Sequence, residues 1–207
     1  ENNSYHFNYT LKKESHIANS IVLPMLGEHN VSNALAAISV STLLEISHER
    51  IFISLASFKG IKRRFDIHIS NKNIVYVDDY AHHPEEIKST IAGVLKSFPN
   101  RKLKVIFQPH LYSRTKDFAN EFAESLSISD ELILLDIFPA REEPINGVDS
   151  KMLLDLCSNR SKSILKKEEV ISYLRENKND LVLTLGAGDI SDLVKPIINT
   201  LSSWRFF

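Results

Sequence analysis

The spacing of apolar residues indicates different structures before and after residue 60. Before it, residues 5–11 alternate between apolar and polar side chains, which predicts a half-buried strand, and 21–23 is a second short strand candidate. Asn30 is a plausible N-cap for a helix whose apolar residues follow at helical spacing. A second helix is predicted over 51–58, and Gly60 is expected to terminate it because glycine favours helix C-termini.

After residue 60, short apolar runs alternate with segments of helical periodicity. The predicted strands are 74–77, 104–107, 132–135 and 181–185. One helix is predicted to begin at Pro84, a second has its apolar face over 118–126, and three more cover 150–157, 168–175 and 190–201. Strands that alternate with helices predict an α/β fold with a mostly parallel sheet and helices on both faces. We place a domain boundary between residues 58 and 59.

Composition narrows the classes of partner. The 207 residues include 25 basic and 26 acidic ones, so the net charge of −1 gives no reason to expect a nucleic acid or an anionic membrane as partner. Cys157 is the single cysteine, which excludes an internal disulfide and a cysteine-based metal site. No apolar run approaches the ~18–20 residues of a membrane span. The sequence begins at Glu1 without Met and without a signal-peptide pattern, so we expect it to be a piece of a longer chain.

The residue types that carry chemistry are concentrated in four loops, each of which follows a predicted strand. These loops are 78–84, 108–115, 136–147 and 186–189. In an open parallel sheet the carboxyl ends of the strands share one edge, and ligands bind at that edge. The sequence therefore predicts one binding site that is assembled from all four loops.

Some of these residues also have simpler interpretations. Asp78 and Asp79 can cap a turn, and His82 with His83 can be a solvated pair at a helix start. Asp and His side chains suit Zn²⁺ or Fe²⁺, so a metal-dependent hydrolase built on Asp78, Asp79, His82 and His110 is one alternative. Adjacent histidines lack the i, i+4 spacing that places two ligands on one helix face, and we assign no metal ligand.

Two of the loops carry groups that suit anions. His110 and Arg114 lie one turn apart if a helix has begun there, and together they could hold a phosphate or a carboxylate. The Gly-Ala-Gly run at 186–188 lets backbone N–H groups approach an anion. No P-loop with its lysine occurs in the 207 residues, so a nucleoside triphosphate would need its main phosphate cradle outside this sequence.

Ordered motifs along the chain together resemble the Mur ligases of peptidoglycan synthesis. The motifs are GEHNVSNALAA at 27–37, FKGIKRRF at 58–65, VDDYAHHP at 77–84, FQPHLYSRT at 107–115, DIFPAREEPING at 136–147 and GAGDI at 186–190. Six motifs in the family's order and spacing are far more specific than any one of them alone.

The resemblance implies three domains, of which this sequence would hold only a part. Residues 1–58 would be the tail of a central ATPase domain, a partial α/β segment, and residues 59–207 a Rossmann-like C-terminal domain. The P-loop, the Mg²⁺ ligands and most contacts to the UDP-sugar would lie in the N-terminal part that is missing here.

The implied reaction is ATP-dependent amide formation in the cytoplasm. The carboxylate of UDP-N-acetylmuramate is phosphorylated to an acyl phosphate, which the amino group of L-alanine attacks with release of ADP and phosphate. The loop at 107–115 favours this alanine-adding branch over the sibling that recycles murein tripeptides and shares the loop at 77–84. A stand-alone nucleotide- or anion-binding module without catalysis is the alternative that the missing P-loop favours.

The resemblance implies a nucleotide site formed by residues from both parts of the chain. His29, Asn30 and Asn33 lie on the helix that would meet adenine, where amide side chains donate and accept at once. Arg64 matches the arginine that lies near the nucleotide at the domain junction. Asp79 would accept hydrogen bonds from the ribose hydroxyls.

The resemblance also implies which residues face the reacting centre. Tyr80, His82, His110 and Arg114 would bind substrate, and the two histidines and the arginine would act in catalysis. Positive groups at this point would orient the alanine carboxylate and stabilise phosphoryl charge. Leu111 departs from the family pattern, because many relatives have an arginine directly after this histidine.

Overall fold

The computed structural model describes residues 5–11, 16–25 and 28–203, and the chain divides into two compact units. The first unit is Glu1–Lys62 and the second is Arg63–Phe207. Among the described residues no helix is both long enough and apolar enough to cross a membrane.

The first unit contains one antiparallel strand pair and two helices. Strand β1 (Tyr5–Leu11) pairs with β2 (His16–Leu23), and helices α1 (Glu28–Leu43) and α2 (His48–Ser57) follow. A small apolar cluster holds them together, formed by Tyr9, Ile21, Ile38 and Ile51. Both predicted strands and both predicted helices are therefore present.

Two helix ends of this unit differ from the sequence predictions. Asn30 is not an N-cap, because α1 begins two residues earlier at Glu28 and the asparagine side chain is buried within the first turn. Helix α2 ends at Ser57 with Phe58 in an extended conformation, so Gly60 lies beyond the helix end, although its φ of 79° does need a glycine.

The second unit is built on a six-stranded sheet that is parallel except at one edge. Its strands are β3 (Asp66–Ser70), β4 (Val75–Asp79), β5 (Leu103–Phe107), β6 (Glu131–Leu134), β7 (Ser161–Ile164) and β8 (Leu181–Leu185). Their order in the sheet is β3-β4-β8-β5-β6-β7, and only β3 runs antiparallel to its neighbour. The predicted fold class, α/β with a mostly parallel sheet, is confirmed.

The direction in which the chain advances along the sheet determines where the helices lie. The helices are α3 (Pro84–Ser97), α4 (Tyr112–Asp117), α5 (Ala119–Leu126), α6 (Ser150–Leu156), α7 (Val170–Glu176) and α8 (Val194–Ser202). The chain passes from β4 over the position of β8 to β5, and it continues in the same direction to β6 and β7. The helices α3, α5 and α6 pack side by side. The chain then returns from β7 to β8, and a right-handed crossover places α7 on the opposite face, where α8 packs beside it.

The central strands are buried along their whole length because both of their faces are covered, and most of their residues are apolar. Every residue of β4, β5 and β8 is buried. On the α7 and α8 face, Tyr76, Ile106 and Ile133 belong to one core cluster. On the other face, the ring of Phe107 packs 5.6 Å from that of Phe122 on α5.

The predicted apolar face over 118–126 is confirmed, since it belongs to α5 and to Phe118, the residue between α4 and α5. Two other elements of this unit depart from the sequence predictions. Strand β4 extends to Asp78 and Asp79, which we predicted in the following loop. Strand β7 was not predicted, because the edge segment Ser161–Ile164 is mostly polar and exposed.

Removing core volume at Ile133 should destabilise the protein much more than the same change at its surface. Ile133 is wholly buried in the main cluster, whereas Ile128 is 44% exposed. We expect Ile133→Ala to lower the free energy of unfolding by roughly 2–5 kcal/mol. Ile128→Ala, the matched control, should change it by less than about 0.5 kcal/mol. Denaturant unfolding measures both, and equal effects would contradict this assignment of the core.

Candidate functional site

The predicted loops meet at the carboxyl edge of the sheet because β8 lies between β4 and β5. Backbone hydrogen bonds continue past the strand ends and hold the loops in register. The N–H of Gly186 donates to the carbonyl of Asp79 at 3.3 Å, and the N–H of Gln108 donates to the carbonyl of Leu185 at 3.0 Å. This is the point at which the strand order reverses, where open α/β sheets bind ligands.

Asp78 and Asp79 point to opposite faces of the sheet because they are successive residues of a strand. The Asp78 carboxylate is wholly buried, and it accepts hydrogen bonds from the Thr184 hydroxyl at 2.6 Å and from Nε of Arg63 at 2.9 Å. Both oxygens are thus engaged inside the protein. Asp78 serves the architecture of the edge rather than an external ligand.

The Asp79 carboxylate organises the chain on both sides of the strand end. Its Oδ2 accepts the N–H of Phe65 at 2.6 Å, and its Oδ1 accepts the N–H of Ala81 at 2.7 Å. Only 7% of the residue is exposed. Asp79 therefore fixes the turn that carries Tyr80 and His82, in addition to any contact it makes with a ligand.

A row of rings extends along the edge from β4 to β6. The ring centroids of Tyr80 and His82 are 5.3 Å apart, those of His82 and His110 are 5.8 Å apart, and Phe138 stacks on His110 at 5.7 Å. Tyr80 is 43% exposed, so the start of this row is open to solvent. Three loops from three strands thus contribute to one continuous surface.

The hydrogen-bond partner of His82 identifies its tautomer. Its Nδ1 lies 3.1 Å from the carbonyl oxygen of Tyr80, which can only accept, so Nδ1 carries the proton and Nε2 is the acceptor of the neutral ring. Glu86, in the first turn of α3, holds this loop by accepting the N–H groups of His82 and His83 at 3.0 and 3.2 Å. The carboxylate of Glu86 is also 3.4 Å from Nδ1 of His82.

His110 has the opposite arrangement. Its Nδ1 faces a guanidinium nitrogen of Arg114 at 3.5 Å, and a guanidinium can only donate. The neutral ring therefore presents Nε2–H as a donor. Burial lowers the pKa of His110, and the Arg114 guanidinium lowers it further, as does His82 when it is protonated, while the Glu142 carboxylate acts in the opposite direction. His110 is held in its neutral form near neutral pH.

The loop after β6 braces the loop that carries His110. Phe138 donates its N–H to the carbonyl of Pro109 at 2.8 Å and accepts the N–H of Leu111 at 3.0 Å. Glu142 accepts the backbone N–H of Ser113 at 2.9 Å and also its hydroxyl, and these bonds lower the pKa of the Glu142 carboxyl. Leu111 has a φ of 72°, which is unusual for any residue except glycine.

The glycines at 186–188 allow a close approach to Gln108. A Cβ on Gly188 would lie 2.5 Å from the Gln108 side-chain oxygen, and a Cβ on Gly186 would lie 2.8 Å from its backbone oxygen. Gln108 accepts the N–H of Ile190 at 2.9 Å and donates to Asp189 at 2.6 Å. The Gly-Ala-Gly run therefore packs against Gln108, and the approach of its N–H groups to an anion stays a prediction.

Asp189 forms an ion pair beside a cavity of about 370 Å³. Its carboxylate accepts a hydrogen bond from Lys167 at 2.5 Å, and Lys167 also reaches Asp192 at 3.2 Å. Burial raises the pKa of Asp189, but the hydrogen bonds from Lys167 and Gln108 outweigh it and leave this pKa lowered. Phe138 lines this cavity, and its ring also stacks on the ring of His110.

The structure brings together one group of predicted site residues and leaves others apart. Tyr80, His82, His110 and Arg114 form one cluster, and Asp79 lies directly before it in the chain. Arg64 is an exposed residue at the start of the second unit. The three residues expected near adenine belong to α1 of the first unit, where Asn30 is buried and Asn33 is exposed.

Three residues of the site had no role in the sequence prediction. Phe138 and Glu142 follow β6, and their place after a third parallel strand was the available signal. Arg63 stood in a basic cluster next to Arg64. The family resemblance gave a role to Arg64 alone, and no local pattern in the sequence predicted the contacts that Arg63 makes.

Metal ligands do not come together in the part of the chain that the structure describes. Over residues 5–11, 16–25 and 28–203, no three His, Cys, Asp or Glu side chains form a group able to hold an ion. The Asp78 carboxylate pairs with Arg63, and the Asp79 carboxylate accepts the N–H groups of Phe65 and Ala81. The metal-dependent hydrolase therefore lacks its proposed ligand group among these residues.

Comparisons with known proteins agree with this architecture. The family described as "Mur ligase, glutamate ligase domain" matches residues 63–188. The UDP-N-acetylmuramate–L-alanine ligase of Flavobacterium psychrophilum is 49% identical over 168 residues, which are 81% of this chain and 38% of that protein. The ligase of the same name from Christiangramia forsetii is 41% identical over 201 residues, which are 97% of this chain and 44% of that protein.

Solved structures show the same likeness. The UDP-N-acetylmuramate-alanine ligase of Thermotoga maritima matches with a TM-score of 0.74 at 28% identity and covers 91% of this chain and 41% of its own. A murein peptide ligase of Psychrobacter arcticus shares the fold with a TM-score of 0.65 at 23% identity, covering 95% of this chain and 41% of its own. The chain spans about two fifths of the length of the curated relatives it matches. Since the family match extends over more than half of its residues, the chain belongs to the Mur ligase family.

Proposed function

We propose that this chain is the closing part of an ATP-dependent ligase that joins L-alanine to UDP-N-acetylmuramate through an acyl phosphate. The observation that carries this proposal is the cluster of Tyr80, His82, His110 and Arg114 at the carboxyl edge of the sheet. Relatives at 41–49% identity that bear this activity in their names support the choice of substrates. In this proposal the second unit supplies the amino-acid side of the reaction.

The two histidines have complementary roles in this proposal. An amino acid carries an ammonium group near neutral pH, and this group must lose a proton before its nitrogen can attack an acyl phosphate. His82 presents the lone pair of Nε2, so it is our candidate for accepting that proton. His110 is held neutral with an Nε2–H donor, which can stabilise negative charge that develops on oxygen.

Arg114 and Tyr80 position the substrate. The Arg114 guanidinium suits the alanine carboxylate because its planar fork matches two carboxylate oxygens. Tyr80 offers an exposed ring and hydroxyl next to His82. Together these groups would hold the nucleophile in line with the acyl phosphate, and orientation of this kind is a large part of catalysis.

The nucleotide is shared between this chain and the part of the protein outside it. We propose that Asp79 binds the ribose hydroxyls, that Arg64 lies near the nucleotide, and that His29, Asn30 and Asn33 contact adenine. No three His, Cys, Asp or Glu side chains among the described residues form a group able to hold a metal ion, and we derive no step through a metal. ATP and the metal would be held mainly by the P-loop part, and closure over them would exclude water from the acyl phosphate.

The 207-residue chain alone should show no ligase turnover, because it has no P-loop to hold ATP. Phosphate release with ATP, UDP-N-acetylmuramate and L-alanine measures this, and the same protein extended to the length of its relatives is the positive control. Amide formation by the isolated chain would refute the division of labour proposed here. Turnover of a murein tripeptide but not of L-alanine by the longer protein would assign it to the sibling branch.

In the longer protein, Asp79→Ala or Arg114→Ala should each lower kcat/KM by at least ~10-fold, or about 1.4 kcal/mol of transition-state stabilisation. Asp79→Ala should raise KM for ATP, and Arg114→Ala should raise KM for L-alanine. Lys116→Ala is the matched control, since this exposed lysine lies on the same helix as Arg114. Unfolding midpoints are needed as well, because Asp79 also holds a turn. Near-normal kinetics in both variants would remove these assignments.

The pKa of His110 should respond in opposite directions to its two charged neighbours. It should lie below the ordinary histidine value, rise in Arg114→Gln because a repelling charge is lost, and fall in Glu142→Gln because an attracting charge is lost. Titration of the His110 ring by NMR measures all three values. A wild-type pKa at or above the ordinary value would contradict the neutral role assigned to this ring.

A further inference from the structure

The side chain of Arg63 links three parts of the edge. Its Nε donates to Asp78 at 2.9 Å, and a terminal nitrogen donates to the carbonyl oxygen of Gly186 at 2.6 Å. The guanidinium carbon lies 5.4 Å from the centroid of the Tyr80 ring. One side chain thus joins the end of β4, the turn after β8 and the first ring of the row.

The backbone of Arg63 is fixed to the same place. Its carbonyl oxygen accepts the N–H of Tyr80 at 2.7 Å, and its own N–H donates to the Asp66 carboxylate at 3.3 Å. Its φ of 59° lies in a region that is uncommon for residues other than glycine. The structure therefore holds this residue in an unusual conformation that directs its side chain under Tyr80.

The positive charge alone does not account for these contacts. Asp78 is wholly buried, so its carboxylate needs a cationic partner, and a lysine could supply that charge. A lysine, however, donates from a single nitrogen, whereas the guanidinium donates from two separated nitrogens and presents a flat face to the ring. The carbonyl of Gly186 and the ring of Tyr80 thus require the arginine geometry.

We propose that Arg63 is a positioning residue of the ligase site. It does not touch the reactants, and it acts through Tyr80 by fixing that ring beside His82, while its hydrogen bond to Gly186 holds the guanidinium against the ring. This inference rests on the proposed function for its kinetic readout, and it adds a residue to which the sequence and the family resemblance assigned no role.

A double-mutant cycle in the longer protein tests the proposal. The variants are Arg63→Lys, Tyr80→Leu and the double variant, with Arg101→Lys as a matched control. The side chain of Arg101 is 19% exposed, and that of Arg63 is 18% exposed. Like Arg63, Arg101 pairs with a carboxylate, at 2.7 Å, and donates to a backbone carbonyl, at 2.7 Å. It lies before β5, at the opposite end of the sheet from the site.

We expect Arg63→Lys to lower kcat/KM for L-alanine at least ~10-fold while its unfolding midpoint stays close to that of Arg101→Lys. The double variant should be no slower than Tyr80→Leu alone, because the arginine acts through the ring. Losses that multiply in the double variant would overturn the proposal. An equal loss of activity in Arg101→Lys would also overturn it, since the effect would then be one of general stability.

A spectroscopic readout separates this proposal from the proposed function. The Tyr80 ring lies against His82, so a displaced ring changes the magnetic environment of the imidazole. Arg63→Lys should shift the His82 ring resonances, and Arg101→Lys should leave them unchanged. If the longer protein does not ligate L-alanine, the proposed function fails, and the His82 resonances still decide the role of Arg63. Unshifted resonances in Arg63→Lys would overturn it.

Discussion

The return of the chain from β7 to β8 determines where the candidate site lies. Because this crossover runs against the direction of the preceding ones, β8 enters the sheet between β4 and β5. The loops after these strands then share one edge, and the side chains of 78–82, 108–114 and 186–189 come together although they are far apart in sequence. Asp78 stabilises this junction, because its buried carboxylate is shared between Thr184 of β8 and Arg63. The geometry of the site is therefore a consequence of the strand order.

Charge is distributed along the edge so that two histidines side by side have different chemistry. The carbonyl of Tyr80 keeps a proton on Nδ1 of His82, while the guanidinium of Arg114 faces the same atom of His110 and disfavours a proton there. Burial adds to the second effect, and Glu142 limits it from the far side of the loop. Such a pair offers an acceptor next to a neutral donor. That combination suits a reaction in which one group loses a proton while charge develops nearby on oxygen.

The sequence predicts the parts of this structure whose cause is local. Alternating apolar runs were sufficient for the α/β class, and loops after strands were sufficient to locate Tyr80, His82, His110 and Arg114 at one edge. The sequence does not predict the features that depend on strand register. The separation of Asp78 from Asp79 follows from a strand that ends two residues later than its apolar run. The contacts of Arg63 follow from its left-handed backbone conformation, and the partners of its side chain are known only from the folded structure. Strand β7 is polar because it forms a sheet edge, so it lacks the apolar run on which the prediction of strands depends.

Leu111 shows how the site can change its charge while keeping its backbone. Its φ of 72° and ψ of 135° cost about 1–3 kcal/mol in a residue other than glycine. Hydrogen bonds offset that cost, because its N–H donates to Phe138 and its carbonyl accepts both the N–H and the hydroxyl of Thr115. These bonds involve only backbone atoms of residue 111, so the path of the loop does not depend on which side chain it carries. A leucine where the family resemblance implies an arginine thus leaves the site with one cation fewer, while the backbone that carries His110 and Arg114 is kept. In the proposed function, the carboxylate of the amino acid would therefore depend on Arg114 more strongly than it would with two arginines.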